Sequence, residues 1–212
     1  MTGHAAVVLA AGQASRYRAA GGRQPTKLLE VIDDAPLVRH VVMAALGSAA
    51  DPVILVTGHA SEAVARAVAD LSVTRVHNAA YAEGLASSLR AGIAAVPPSC
   101  AGVVVLLADM PGIRSDLINA LIARALDQPG AGAVVPTCNG RRGNPVLLGR
   151  ALLPAVTRLA GDVGARHLLR DPALQVAEVP WHDAGILNDV DLPEQVAPFA
   201  SHAGRKAPFT LR

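Results

Sequence analysis

The chain is expected to fold as an α/β domain built on a doubly wound, mostly parallel sheet, and three observations carry that expectation. Short unbroken apolar runs recur at 5–11, 53–57 and 102–108, as strands buried on both faces require. Segments with apolar residues at helical spacing alternate with these runs, and turns bearing glycine or proline separate the two. With 212 residues, 51% hydrophobic and 17% charged, the chain is long and apolar enough to bury one substantial core.

The first run ends at Gly12, which is expected to let the chain turn where a side chain would collide with a ligand. A flexible basic loop is expected next: Ser15, Arg16, Arg18, Arg23 and Lys27 crowd a short stretch, a pattern that suits a polyanion and equally a solvated surface. Residues 27–29 lead through a polar turn at Asp33 and Asp34 to Pro36, the expected first residue of a helix carrying Leu37, Val38, Val41, Val42 and Leu46. A strand at 53–57, a helix at 60–71 and a strand at 73–76 continue the alternation. Residues 77–86 lead into a helix from Ser87 to about Val96, broken by Pro97 and Pro98. The run at 102–108 is the most apolar in the chain; it is placed at the centre of the sheet, where it delivers Asp109 to the carboxyl edge. Then come a helix at 114–126, a strand at 133–136, a turn rich in Gly and Arg at 139–144, and an apolar segment at 145–148. Helices at 150–159 and within 161–169 and an extended stretch at 176–179 complete the fold. Residues 1–200 are expected to form a single domain and 201–212 a loose tail.

Composition removes several classes of function. A net charge of +2 and an aromatic share of 2% argue against a nucleic-acid surface with stacking platforms. No run approaches the length of a membrane span, and no Lys or Arg precedes the first apolar run, so a cytoplasmic protein without a membrane partner is expected. Cys100 and Cys138 lack metal-ligand spacing and are expected to be reduced thiols; His59, His77, His167 and His182 show no zinc pattern. Neither Gly-Lys-Ser/Thr nor Gly-x-Gly-x-x-Gly follows the first strand, which weakens a dinucleotide-binding oxidoreductase.

Two acidic segments remain. Asp109 follows the central run directly, and residues 188–194 place Asp189, Asp191 and Glu194 in one turn. Each alone reads as a strand-end or helix cap. Brought together over the basic loop they read differently, because Mg²⁺ takes one or two carboxylates plus phosphate oxygens and water.

Six motifs spread over nearly the whole chain resemble the MobA/MocA-like nucleotidyltransferases. They are Leu9-Ala10-Ala11-Gly12 with Arg16 and Lys27; the segment from Gly84 through Ser87 and Ser88 to Gly92; Leu107-Ala108-Asp109-Met110-Pro111; Arg142-Gly143-Asn144-Pro145-Val146; Gly161-Asp162-Val163-Gly164-Ala165-Arg166; and Asp189-Val190-Asp191-Leu192-Pro193-Glu194. Departures are Ala14 for Ser, Arg18 for Gly, Asn144 for His, Leu192 for Thr, and extra length at 18–26.

The resemblance implies a Rossmann-like sheet of the nucleotide-diphospho-sugar transferase type and a Mg²⁺-dependent enzyme. That enzyme would transfer a nucleotide monophosphate to a phosphorylated acceptor and release pyrophosphate. It implies that Asp109, Asp191 and Asp189 hold the metal. Leu9, Ala10, Ala11, Gly12, Arg16, Lys27, Gly84, Ser87, Ser88 and Asp109 would bind the nucleotide, with Lys27, Arg16 and Asp109 catalytic. Arg142, Gly143, Asn144, Asp162 and Arg166 would bind the acceptor.

Ala-Ala-Gly in place of Ala-Gly-Gly resembles the cytidylyl branch, with CTP as donor and molybdopterin, the organic part of the molybdenum cofactor, as acceptor. A molybdenum enzyme or its insertion chaperone is then an expected partner. Two alternatives stay open: the same fold acting on a sugar, alditol or phospholactate-type phosphate, and a non-catalytic partner that holds the cofactor for insertion.

Overall fold

The computed structural model describes residues 3–195, so the expected tail at 201–212 and the domain end at 200 lie outside the described residues. Strand β1 (Gly3–Ala10) carries an unbroken run of Ala, Val and Leu after His4 and is buried from His4 onward, so both of its faces must be covered. Parallel strands flank it on both sides: β4 (Ala50–Thr57), with Val7 opposite Ile54, and β6 (Cys100–Leu107), with Val7 opposite Val105. The run expected at the centre of the sheet is β6, and it is there.

Side chains of β1 alternate between two cores. Ala6, Val8 and Ala10 face α2 (Leu37–Leu46) and α5 (Ser115–Asp127), which present Val38, Val41, Val42, Leu117, Ile118 and Leu121. Ala5, Val7 and Leu9 face α4 (Leu85–Ala94), with Ala86 and Leu89, and α6 (Leu153–Val156). Helices on both faces of the sheet give a three-layer α/β/α arrangement.

The remaining strands are β2 (Val31–Ile32), β3 (Ala35–Pro36), β5 (Thr74–His77), β7 (Ala133–Cys138), β8 (Arg141–Arg142), β9 (Val146–Gly149) and β10 (Val176–Pro180). The main sheet runs β10-β7-β9-β6-β1-β4-β5, with β8 on β7, while β2 and β3 form a separate antiparallel pair. Only β8 and β9 run against the others, so the sheet is mostly parallel. Pro36 ends β3 and precedes α2 instead of opening it. The crossover helix α3 is shorter than expected, Ser61–Ala67, and the stretch at 161–169 yields only a 3₁₀ helix, Ala165–Arg170. Among the described residues no helix is long and apolar enough to cross a membrane.

The basic stretch after β1 departs most from expectation. Instead of a flexible loop it contains a short helix, α1 (Ser15–Ala19), anchored by the fully buried Tyr17. The left-handed turn falls at Ala14 (φ 51°), not at Gly12, where an added Cβ would project into open space.

Candidate active site

Three separate segments converge at the carboxyl ends of β1 and β6. Asp109 follows β6 in a turn, and its carbonyl accepts a hydrogen bond from Val190 N at 2.9 Å. Val190 is fully buried against Ile32 and Leu37, so a distant piece of chain is pinned with Asp189 and Asp191 on either side of an apolar anchor. Gln195 Oε1 accepts from Asp191 N at 2.6 Å and Leu192 N at 2.8 Å, closing the turn before Pro193–Gln195. The hydroxyl that Thr would bring at 192 is therefore not needed to cap it.

Carboxylate oxygens of Asp109, Asp189 and Asp191 lie within 4.8 Å of one another. Lys27, mostly buried, bridges two of them, with Nζ 2.7 Å from Asp109 Oδ2 and 2.8 Å from Asp191 Oδ1. The more exposed Arg16 pairs with the other oxygen of Asp191. The two cations on either side of the extended bend thus meet on one carboxylate.

The electrostatics follow from this packing. Desolvation lifts the Asp109 carboxyl above its ordinary pKa; Lys27 opposes the lift, and neighbouring Asp189 reinforces it. Desolvation acts upward on Asp191 too, but the hydrogen bonds and charges of Lys27 and Arg16 outweigh it and hold that carboxyl low. For Lys27 burial acts downward, and the two carboxylates overcome it and raise its pKa.

Among the described residues Asp109 Oδ1 is buried without a hydrogen-bond partner. An orphaned, desolvated carboxylate oxygen beside two further carboxylates is a donor set that fits a hard divalent cation better than it fits a cap.

The acids sit at the end of a cleft of about 620 Å³. Leu9, Ala11, Gly12, Arg16, Lys27, Gly84, Ser88 and Asp109 line it, as expected from their motifs. Ala10 does not; its side chain turns into the core between sheet and helices. Ser87 also stands behind the wall, its hydroxyl proton shared between the carbonyls of Ala80 (2.9 Å) and Gly84 (2.8 Å). Asn78 completes that buried network, donating to both Ser87 and Ser88 hydroxyls and accepting from Ala80 N. Its effect is to fix the turn at 80–84 that forms one side of the cleft. Gly84 has φ 103°, and an added Cβ would lie 2.5 Å from the Gly161 backbone, so this wall closes only with glycine there.

A second, smaller cavity of about 310 Å³ adjoins the first, sharing Leu9, Leu85, Leu107 and Asp189. Its floor is apolar, and Arg141, Arg142, Asn144 and Arg166 stand around it. Arg142 Nε donates to Glu178 at 2.7 Å, and Arg166 donates to the Arg142 carbonyl. Burial and the neighbouring Arg141 charge lower the Arg166 pKa. Gly143 supplies shape here, since a Cβ would meet the Ile186 carbonyl at 2.6 Å. Asp162 lies apart from the other residues of its expected group and lines the larger cleft.

Sequence reasoning passed over Tyr81, which lines the larger cleft, and Tyr17, which is buried directly behind its wall. They are the only two tyrosines in a chain with almost no aromatic residues, and that scarcity was a usable signal. His59 is less incidental than its spacing suggests: its Nε2 lies 3.1 Å from the Pro25 carbonyl and its ring centroid 6.2 Å from that of Tyr81.

Fold and cleft together define a nucleotidyltransferase-type domain. The chain belongs to the MobA-like NTP transferase domain family, whose model matches residues 6–179. Among curated relatives it is 37% identical over 95 residues to the purine catabolism protein PucB of Bacillus subtilis, covering 44% of each chain. It is 28% identical to the molybdenum cofactor cytidylyltransferase of Escherichia coli over 143 residues, 67% of this chain and 70% of that one. It spans under half the length of PucB and about a third of the bifunctional GlmU proteins it also matches. The crystal structure of Rv0371c from Mycobacterium tuberculosis in complex with manganese superposes with a TM-score of 0.76 at 25% identity, covering 95% of this chain and 100% of that one.

Proposed function

We propose that this protein is a Mg²⁺-dependent cytidylyltransferase that transfers CMP from CTP to a phosphorylated, flat-bodied acceptor, molybdopterin, and releases pyrophosphate. The observation that carries the reading is the meeting of Asp109, Asp189 and Asp191 with Lys27 and Arg16 in the larger cleft, with Asp189 also reaching the adjoining cavity. The family and the manganese-bound structural relative support a divalent ion. Asp109, Asp191 and Asp189 would hold Mg²⁺, and the ion supplies neutralisation of phosphate charge.

The chain's own groups do the positioning. Gly12 leaves open space above the strand end for phosphates, and Arg16 and Lys27 offset charge that builds on the departing pyrophosphate. The acceptor phosphate attacks the α-phosphorus in line; it is largely ionised at neutral pH with a second pKa of about 6, so no strong base is needed. Two features support CTP. The E. coli relative is a cytidylyltransferase by name. Ala11, which stands in the cleft wall, also makes the motif Ala-Ala-Gly, the form that resembles the cytidylyl branch.

The second cavity supports the acceptor class. Leu9, Val105, Leu107, Met110, Val146 and Ile186 form a floor suited to a flat ring system, not to a polyhydroxylated sugar, while Arg141, Arg142 and Arg166 suit its anionic group. A molybdenum enzyme or its insertion chaperone would then receive the product.

Thermal melts with each of four NTPs, with and without Mg²⁺, test the donor. CTP with Mg²⁺ at about 100 times its Kd is expected to raise Tm by roughly 5–10 °C. Pyrophosphate release with CTP is expected with a pterin phosphate and absent with sugar or alditol phosphates. No shift with any NTP would refute the proposal.

A further inference from the structure

Between Gly12 and Thr26 the chain is exposed or half-exposed throughout, with one exception, Tyr17. Its ring is fully buried and its hydroxyl has two partners, accepting from Gln24 N at 3.0 Å and donating to Glu30 Oε1. The bend is wrapped around that ring. Gly22 N donates to the Tyr17 carbonyl at 3.0 Å, and a Cβ on Gly22 would lie 2.2 Å from the ring carbons. Arg16 immediately precedes Tyr17, and Lys27 lies between its two partners Gln24 and Glu30. One hydroxyl therefore ties together the two sides of the insertion that separate the cations.

We propose that Tyr17 is the positioning residue of the phosphate site, its hydroxyl fastening the 18–26 insertion so that Arg16 and Lys27 face Asp191 together. Without that tie the two cations are separated by an exposed bend with no other buried anchor before Thr26, and the entropy of ordering it falls on nucleotide binding. The lengthened segment is in this view a tethered strap whose anchor is internal. Its far end is held as well, because the Pro25 carbonyl meets His59. The proposal rests on the nucleotidyltransferase reading for its ligand, but the tether itself is a property of the free protein.

The test uses Tyr17→Phe, which keeps the ring and loses only the hydroxyl, together with Glu30→Leu and Glu30→Gln. In nucleotide-free protein, trypsin is expected to cut after the exposed Arg18 and Arg23 about tenfold faster in Tyr17→Phe and Glu30→Leu than in wild type. Glu30→Gln, which still accepts the hydrogen bond, is expected to stay near the wild-type rate.

In pyrophosphate release, the KM for the NTP is expected to rise about three- to tenfold in the first two variants, with kcat falling less than twofold. Wild-type cleavage rates in Tyr17→Phe would overturn the proposal. So would a lowered Tm in Tyr17→Phe with KM unchanged, because a merely structural hydroxyl would give that result. Faster cleavage in a protein that binds no NTP would uphold the tether and refute the functional reading, so the two failures are separable.

Discussion

Replacing Lys27 with methionine isolates the electrostatics of the site. The ammonium lies 2.7 Å from Asp109 and 2.8 Å from Asp191, with only 13% of its side chain exposed and 20% and 25% of theirs. Removing one partner of a fully buried pair costs about 3–5 kcal/mol, because the remaining charge is left uncompensated. Partial exposure of both acids screens part of that penalty, which brings the expected loss to about 2–3 kcal/mol, or roughly 5–10 °C in Tm for a chain of this length. Methionine keeps the side-chain length and its apolar packing, so the deficit reports the charge.

Two further results distinguish this account from a general loss of packing. Millimolar Mg²⁺ is expected to recover at least half of the deficit and to raise wild-type Tm less, because the ion takes over the neutralisation that the ammonium supplied. The deficit is also expected to shrink as pH falls from 7.5 to about 5. Asp109, already raised by burial, rises further without Lys27, and a carboxyl that binds protons more tightly folded than unfolded costs stability as pH rises through its folded pKa. Differential scanning fluorimetry across pH and Mg²⁺ reads all three quantities. A variant as stable as wild type, or one stabilised by Mg²⁺ no more than wild type, would refute the idea that Lys27 holds an otherwise repelling acidic cluster together.

Asp109→Ala is expected to abolish pyrophosphate release while leaving Tm within a few degrees, since it removes a buried unsatisfied oxygen along with the ligand; a large Tm loss would point to a capping role. Gly84→Ala forces a methyl against the Gly161 backbone at a left-handed φ and is expected to cost about 3 kcal/mol, measured by urea unfolding, with weakened NTP binding; an unchanged midpoint would contradict the closed wall. His4, buried in β1, has its pKa lowered by burial, so its contribution is complete above its unfolded value of 6.5 and is lost as pH falls through that value toward the folded one. Wild-type Tm is therefore expected to drop more steeply between pH 6.5 and 5 than that of His4→Gln, and parallel curves would exclude His4 as the cause.

How far the sequence could be read depends on how much of each segment's environment is local. Strands β1 and β6 announce themselves because burial on both faces demands an unbroken apolar run, and their carboxyl ends fix where Gly12 and Asp109 must lie. The direction of β9 was legible too, though only from its connection. Residues 139–145 are fewer than the dozen or so that a parallel crossover needs, so β9 had to run antiparallel after β7. Helix α1 carried no such mark: five residues make too short a stretch to show a period, and the burial of Tyr17 depends on Gly22, Gln24 and Glu30 closing over it.

The site divides along the same line. The convergence of Asp109 with Asp191 was expected from their motifs, but what produces it is Val190, an apolar residue between two acids that looks like filler in the sequence and is buried against Ile32 and Leu37. Its amide on the Asp109 carbonyl sets the carboxylate spacing, and Ile32 of β2 with Leu37 at the start of α2 supply the pocket it fills. The chemistry of this centre is thus written in its charged residues, whereas its geometry is carried by apolar and backbone groups that no motif names.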